Sequence, residues 1–264
     1  MRSISRITGV SINTVTKLLV DAGEACARYS DRRIKGIESK RIQCDEIWSF
    51  CYAKEDRKVS PSAPADHGNV WTWTAIDADT KMILSWMVSP DRGSQYATEF
   101  MNDLRSRVVG KPQVSTDGWN SYITGVEEAF GSEVRYGQLI KVIPDRGIPE
   151  GEPRYVSPDQ EASRRVAVSG DPYLDDISTS YVERQNLTMR MSMKRFARLS
   201  NGFSKKLENH VHMLSLYFTW YNFCRAHSSL GKPYKGLGVT PAMAAGLTER
   251  PYTLEGMIRL IDNR

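Results

Sequence analysis

The sequence predicts an α/β protein built on a five-stranded mixed sheet, three antiparallel strands followed by two parallel ones, flanked by helices. Three observations predict it. Strand-period and helix-period segments follow one another in the order β-β-β-α-β-α-β between residues 41 and 143. The crossover after the third strand places the fourth parallel beside the first, because such connections are right-handed. A carboxylate, Asp45, interrupts the first apolar run, and a second, Asp117, ends the fourth, so this order brings two strand-borne acids together.

The elements follow in chain order. Residues 2–22 read as a helix-turn-helix fragment: Arg2–Thr8, a turn at Gly9-Val10 where glycine tolerates positive φ, then Ser11 as N-cap of a helix Ile12–Ala22. Ile4, Ile7, Val10, Val15 and Leu18 are the expected contacts between the two helices. Asn13, Thr14, Thr16 and Lys17 then form the exposed side of a recognition helix for a major groove; the alternative is a helical hairpin that only packs. A three-helix unit needs a further helix upstream, so the reading expects a truncated N-terminus. Residues 23–40, polar and charged, read as a linker helix or connector.

Ile42–Tyr52 is the first strand, 53–68 a polar loop, and Val70–Ile76 and Met82–Val88 the next two strands, joined by the turn Asp77-Ala-Asp-Thr80. Ser94–Val108 is amphipathic, with Tyr96, Phe100, Leu104 and Val108 at near-helical spacing. Gln113–Thr116, the helix Asn120–Phe130 and the strand Val134–Ile143 complete the pattern. Proline, glycine and acids crowd 144–179, which reads as an irregular insertion whose acids Asp171, Asp175 and Asp176 are rival metal ligands or, more simply, solvated loop charges. Residues 181–198 form a basic helix on which Glu183, Asn186, Arg190 and Lys194 recur at three- and four-residue steps and so share a face. An aromatic-rich helix, Ser204–His227, is mostly core, and Thr240-Pro241 starts a short helix. The expected organisation is 1–40 helix-turn-helix fragment plus connector, 41–200 catalytic core, and 201–264 helices packing on it.

Charge sharpens the functional reading. The net charge is only +5, but residues 184–235 carry ten Lys or Arg against one acid, directly after Glu183, while residues 144–183 carry nine acids against four bases. A basic block beside acidic strands points to a polyanion. A carboxylate within an apolar strand costs free energy unless it is paired or holds a cation. Asp45, Asp117 and Glu183 are therefore the catalytic and metal-holding candidates. Asn186, Arg190, Lys194 and Arg198 are candidate DNA contacts beside Asn13, Thr14, Thr16 and Lys17. No stretch is apolar enough for a membrane span, and the four cysteines lack CxxC spacing, which predicts free thiols in a cytoplasmic, reducing setting.

Four stretches carry a family resemblance: Cys44-Asp-Glu-Ile-Trp-Ser-Phe50; Ser115-Thr-Asp-Gly-Trp-Asn-Ser-Tyr122; Thr179-Ser-Tyr-Val-Glu-Arg-Gln-Asn-Leu-Thr-Met-Arg190; and Tyr221-Asn-Phe-Cys-Arg-Ala-His227 followed by Thr240-Pro-Ala-Met-Ala-Ala-Gly-Leu247. In this order they resemble the DDE transposases of bacterial insertion sequences, specifically the insertion-sequence-one-like group. The resemblance implies an RNase H-like core and a helix-turn-helix for the element's ends. It implies two Mg²⁺ or Mn²⁺ ions on the acidic triad, ~4 Å apart. It also implies double-stranded DNA as partner, both transposon ends and target, and a homodimer or larger assembly on DNA. The family usually carries more N-terminal sequence, often zinc-binding, for which no cysteine pair is present here. The competing expectation is a truncated or domesticated non-catalytic relative that represses the element by binding its ends.

Overall fold

The computed structural model describes residues 1–54, 61–141, 163–197, 201–231 and 238–262. In chain order the helices are α1 Arg2–Thr8, α2 Ile12–Arg33, α3 Ser94–Arg107, α4 Ser121–Phe130, α5 Ser180–Ser192, α6 Leu207–Phe223, α7 Pro241–Ala244 and α8 Leu254–Asp262. The strands are β1 Ile37–Glu38, β2 Arg41–Cys51, β3 Gly68–Asp77, β4 Ile83–Ser89, β5 Val108–Val109, β6 Gln113–Asp117, β7 Arg135–Lys141 and β8 Ser163–Ser169.

The main sheet has the order β4-β3-β2-β6-β7-β8. β2, β3 and β4 form an antiparallel meander; β6 lies parallel to β2, and β7 parallel to β6. Those five strands are the expected ones in the expected order, with helices on both faces, which is the arrangement expected of an RNase H-like core. The sheet has six strands rather than five. The extra strand, β8, pairs antiparallel with β7 and comes from the segment expected to be irregular. Its side chains are mostly exposed, and only Val166 and Val168 turn inward, an alternation of two residues that is too short for a sequence reading to find.

Alternation along β2 decides what each face meets. Ile42 and Cys44 join Trp73, Phe100, Tyr122, Val126 and Tyr136 in a core against α3 and α4. Ile47, on the other face, joins Val182, Met189, Leu214 and Phe218 in a core against α5 and α6. Helix α5 is set by Gln43, whose Oε1 accepts from the backbone N–H of Tyr181 and Val182 at 2.7 and 3.2 Å. Two donors that a helix start leaves without intrahelical partners are thereby satisfied.

The N-terminal pair differs from expectation. Gly9 makes the left-handed turn (φ 70°) and Ser11 caps α2 through Asn13 N–H, as read from the sequence. But α2 continues unbroken to Arg33, and its second half docks on α6: the Ser30 and Thr219 hydroxyls hydrogen-bond at 2.9 Å, and Gly23 admits His212 so closely that a Cβ there would sit 2.4 Å from the histidine Cβ. The apolar residues expected to bind α1 to α2 are largely outside: Ile7 is 84% and Leu18 53% exposed, and of that set only Val15 is buried. Helix α5 stops at Ser192, before the expected end, because Met193 turns extended and buries itself together with Phe196. All four cysteines are free thiols, and no helix among the described residues is long and apolar enough to cross a membrane.

Candidate active site

β2 and β6 pair only as far as Gln43 and Ser115 and then diverge. Continuing that register by two residues matches Asp45 with Asp117, so both carboxylates stand on one face at the mouth of the split. Glu46, the next residue on β2, belongs to the opposite face but reaches the same slot. One oxygen from each of Asp45, Glu46 and Asp117 lies within 4.8 Å of the other two. The sequence points to the two aspartates and not to the glutamate. The Asp45-Glu46 pairing in an apolar run was a signal, but adjacent strand residues ordinarily face apart, and the strand divergence that reunites them is not written in the sequence.

The surroundings fix these groups. Asn186 Nδ2 donates to Asp45 Oδ2 at 2.8 Å, and Asp117 Oδ1 accepts from Trp119 N–H at 3.0 Å. Glu46 Oε1 is buried without a hydrogen-bond partner, as is the nearby Tyr122 hydroxyl, which interacts with Glu46 without hydrogen-bond geometry. Burial, and secondly the Asp117 charge, push Asp45 up to about 6 and Glu46 up to about 8. Arg92 partly offsets this at Glu46; its guanidinium is stacked 4.4 Å from the Trp71 ring centre and 4.2 Å from that of Trp119.

Glu183, on the first turn of α5, contributes its field to Asp45 but stands outside the three-carboxylate cluster. Its Oε1 accepts from Lys141 Nζ at 2.7 Å and from Thr179 Oγ1 at 2.6 Å. Arg190 is half-buried one turn beyond Asn186 on α5. Lys194 does not share their helix face, because the helix ends first; it lines a cleft of about 530 Å³ with Arg2, Thr16, Arg195 and Lys205. Asn13, Thr14 and Lys17 are exposed on α2, and Thr16 faces that cleft. Arg198 lies outside the described residues.

The slot's donors suit a hard divalent cation. All are carboxylate oxygens, one is buried with no partner, and their mutual repulsion is what a dication relieves. Asp171, Asp175 and Asp176 stand apart: Asp176 pairs with Arg41 at 3.0 Å and Asp175 with Arg165 at 3.5 Å, on the rim of the sheet.

No family model and no curated protein matches the sequence. Among solved structures, the chain is similar to a piggyBac transposase synaptic complex with hairpin DNA, at 12% identity and a TM-score of 0.38, over 86% of this chain and 51% of that one. It is also similar to the Mos1 strand transfer complex, at 13% identity and a TM-score of 0.24, over 46% and 41%. A Mos1 mariner paired end complex with Mn gives 13% identity and a TM-score of 0.22, over 42% and 40%. The chain spans about half the length of the piggyBac chain and about two fifths of the Mos1 chains.

Proposed function

We propose that this chain is a DDE-type transposase of the bacterial insertion-sequence kind, which hydrolyses a phosphodiester at an element's end and joins the freed 3′-hydroxyl to target DNA. The observation that carries the reading is the slot: Asp45 and Asp117 matched in register where two parallel strands part, with Glu46 within 4.8 Å and Glu183 on the helix packed across them. Asp45, Asp117 and Glu183 would hold two magnesium or manganese ions, which when bound would supply Lewis-acid polarisation of the scissile phosphate and a lowered pKa for the attacking water.

The chain's own groups do the rest. Asn186 orients the Asp45 carboxylate and leaves its second oxygen free for the slot. Arg190, on the same helix, is placed to meet the phosphate strand. Lys141 neutralises Glu183 until DNA and cations are in place. In the first reaction water's oxygen bonds to phosphorus and the 3′-oxygen leaves with a proton; in the second the 3′-hydroxyl displaces a target-strand 3′-oxygen. Asn13, Thr14, Thr16 and Lys17 on α2 read the element's ends, and two ends held together call for at least two copies of the chain.

The test is incubation of the purified chain with labelled duplexes spanning the flanks of its coding region, with Mg²⁺ or Mn²⁺. Metal-dependent nicks bearing 3′-hydroxyls, and joined products, are expected. Glu183→Gln loses both while end binding persists; full activity in that variant removes Glu183 from the mechanism. The Lys141–Glu183 pair favours one second reading, a DNA-binding repressor of the element without catalysis. Binding without cleavage under every divalent metal supports it.

A further inference from the structure

A second charged site lies on another face of α5. A cavity of about 270 Å³ is lined by Lys81 from the β3–β4 turn, Tyr181, Arg184 and Thr188 from α5, Tyr221 from α6, and Arg225 and His227 just after it. Three permanent cations and a histidine converge on it from separate elements, and among the described residues no Asp or Glu lines it. None of the three cations has a carboxylate within ion-pair reach among the described residues.

Lys81 Nζ donates to Ala78 O, and two of the three cations, Lys81 and Arg225, lie against aromatic faces. Lys81 Nζ sits 3.6 Å from the Tyr181 ring centre, and the Arg225 guanidinium lies 5.6 and 5.8 Å from those of Trp220 and Tyr221. A ring face positions a cation without cancelling its charge. Lys81 adds an independent sign: it is only 7% exposed and adopts φ 62°, a left-handed conformation that L side chains rarely take. The conformation closes the β3–β4 turn, where the Lys81 N–H donates to Asp77 O at 2.9 Å, and it aims the lysine side chain at the Tyr181 ring. His227 completes the wall. Its backbone N–H donates to Val239 O at 2.9 Å, and its Nδ1 shares a 3.0 Å hydrogen bond with Ser229 Oγ, which leaves Nε2 for the cavity. Burial, Arg225 and Lys81 together hold its pKa below the ordinary range.

We propose that this cavity is a phosphate-binding site that grips a backbone phosphate of bound DNA, with Lys81, Arg184, Arg225 and His227 as its donors. Residues 181, 184 and 188 form a stripe nearly half a turn around α5 from Glu183, Asn186 and Arg190. One helix would therefore carry the catalytic carboxylate on one side and a strand anchor on the opposite side. The source of the phosphate, though not its chemistry, rests on the transposase reading.

The experiment is fluorescence anisotropy of a labelled duplex against salt concentration, using the full chain and the variants Arg184→Gln and Arg225→Gln. Arg184 is exposed, so its replacement does not threaten the fold; thermal melts check both variants. Each variant should weaken binding several-fold at 0.1 M salt and lower the slope of log K against log[salt] by about 1. In parallel, imidazole NMR of the wild-type chain should show the His227 titration midpoint rising with inorganic phosphate, and less so in Arg225→Gln. A His227 response to phosphate with unchanged duplex binding assigns the cavity to free phosphate and overturns its DNA role. Unchanged slopes and no His227 response in folded variants overturn the site altogether. A lowered slope in a chain that never cleaves DNA keeps the anchor and sinks only the catalytic reading.

Discussion

At the scale of single residues, the slot stores repulsion. Burial and neighbouring acids raise Asp45 to about 6 and Glu46 to about 8, above their ordinary 3.8 and 4.5. The folded chain therefore binds protons that the unfolded chain has released. The stability this confers is complete below about pH 4 and is lost as pH rises through 6 and then 8. Glu46→Gln should accordingly raise Tm at pH 9 by at least about 2 °C and leave it unchanged at pH 4; scanning calorimetry at the two pH values checks this, and equal shifts at both would detach the effect from charge. Magnesium should raise the wild-type Tm at pH 8 more than that of Glu46→Gln. Lys141→Ala removes a half-exposed ion pair, so its stability cost should stay below about 1 kcal/mol. Calorimetric titration with Mn²⁺ should show tighter binding in that variant, because Glu183 loses its competitor; weaker binding would make Lys141 a support of the site. Asp45 and Asp117 were legible in the sequence because a carboxylate in an apolar strand demands an explanation. Glu46 was not, because its participation depends on where two strands part.

At the scale of elements, the strands and crossovers of the core were legible from periodicity, since Ile42, Cys44 and Ile47 alternate as a two-sided buried strand must. Misreadings came where tertiary contact overrode local pattern. Polar residues 23–40 read as a linker helix or connector; 23–33 are helical but continue α2 without a break, because Gly23, Cys26 and Ser30 fit against α6. Basic residues past Ser192 read as more helix, yet burial of Met193 and Phe196 turns the chain. The α2–α6 contact gives a sharp prediction. Gly23→Ala gains helix propensity of about 1 kcal/mol but forces a Cβ into His212, an overpacking cost of about 1–3 kcal/mol. Urea unfolding should show net destabilisation, and a midpoint equal to wild type would mean that the two helices separate easily. On the exposed half of α2, Lys17→Ala and Asn13→Ala should weaken binding to the element's ends without moving Tm. Loss of stability without loss of binding would make this pair of helices a packing unit only.

At the scale of the whole molecule, the topology explains how distant stretches of chain make one site. The right-handed return after β4 sets β6 beside β2, so Asp45 and Asp117 meet, and α5 packs across their face with Asn186 bonded to Asp45 and Glu183 near enough for its charge to act on Asp45. The uneven charge noted in the sequence acquires a place as well. Part of the basic block 184–235 supplies Arg184 and Arg225 to the cavity beside α5, and Arg190 to the helix face that carries Glu183 and Asn186. A divalent-cation site in the slot between β2 and β6 is what the proposed chemistry requires above all. The most direct measurement is anomalous diffraction from crystals of the chain grown with manganese and a short duplex. The account predicts manganese peaks with Asp45 and Asp117 oxygens as ligands, and loss of those peaks in Asp117→Asn. Ordered manganese elsewhere on the chain, with the slot closed by hydrogen bonds among its own carboxyl groups, would contradict it.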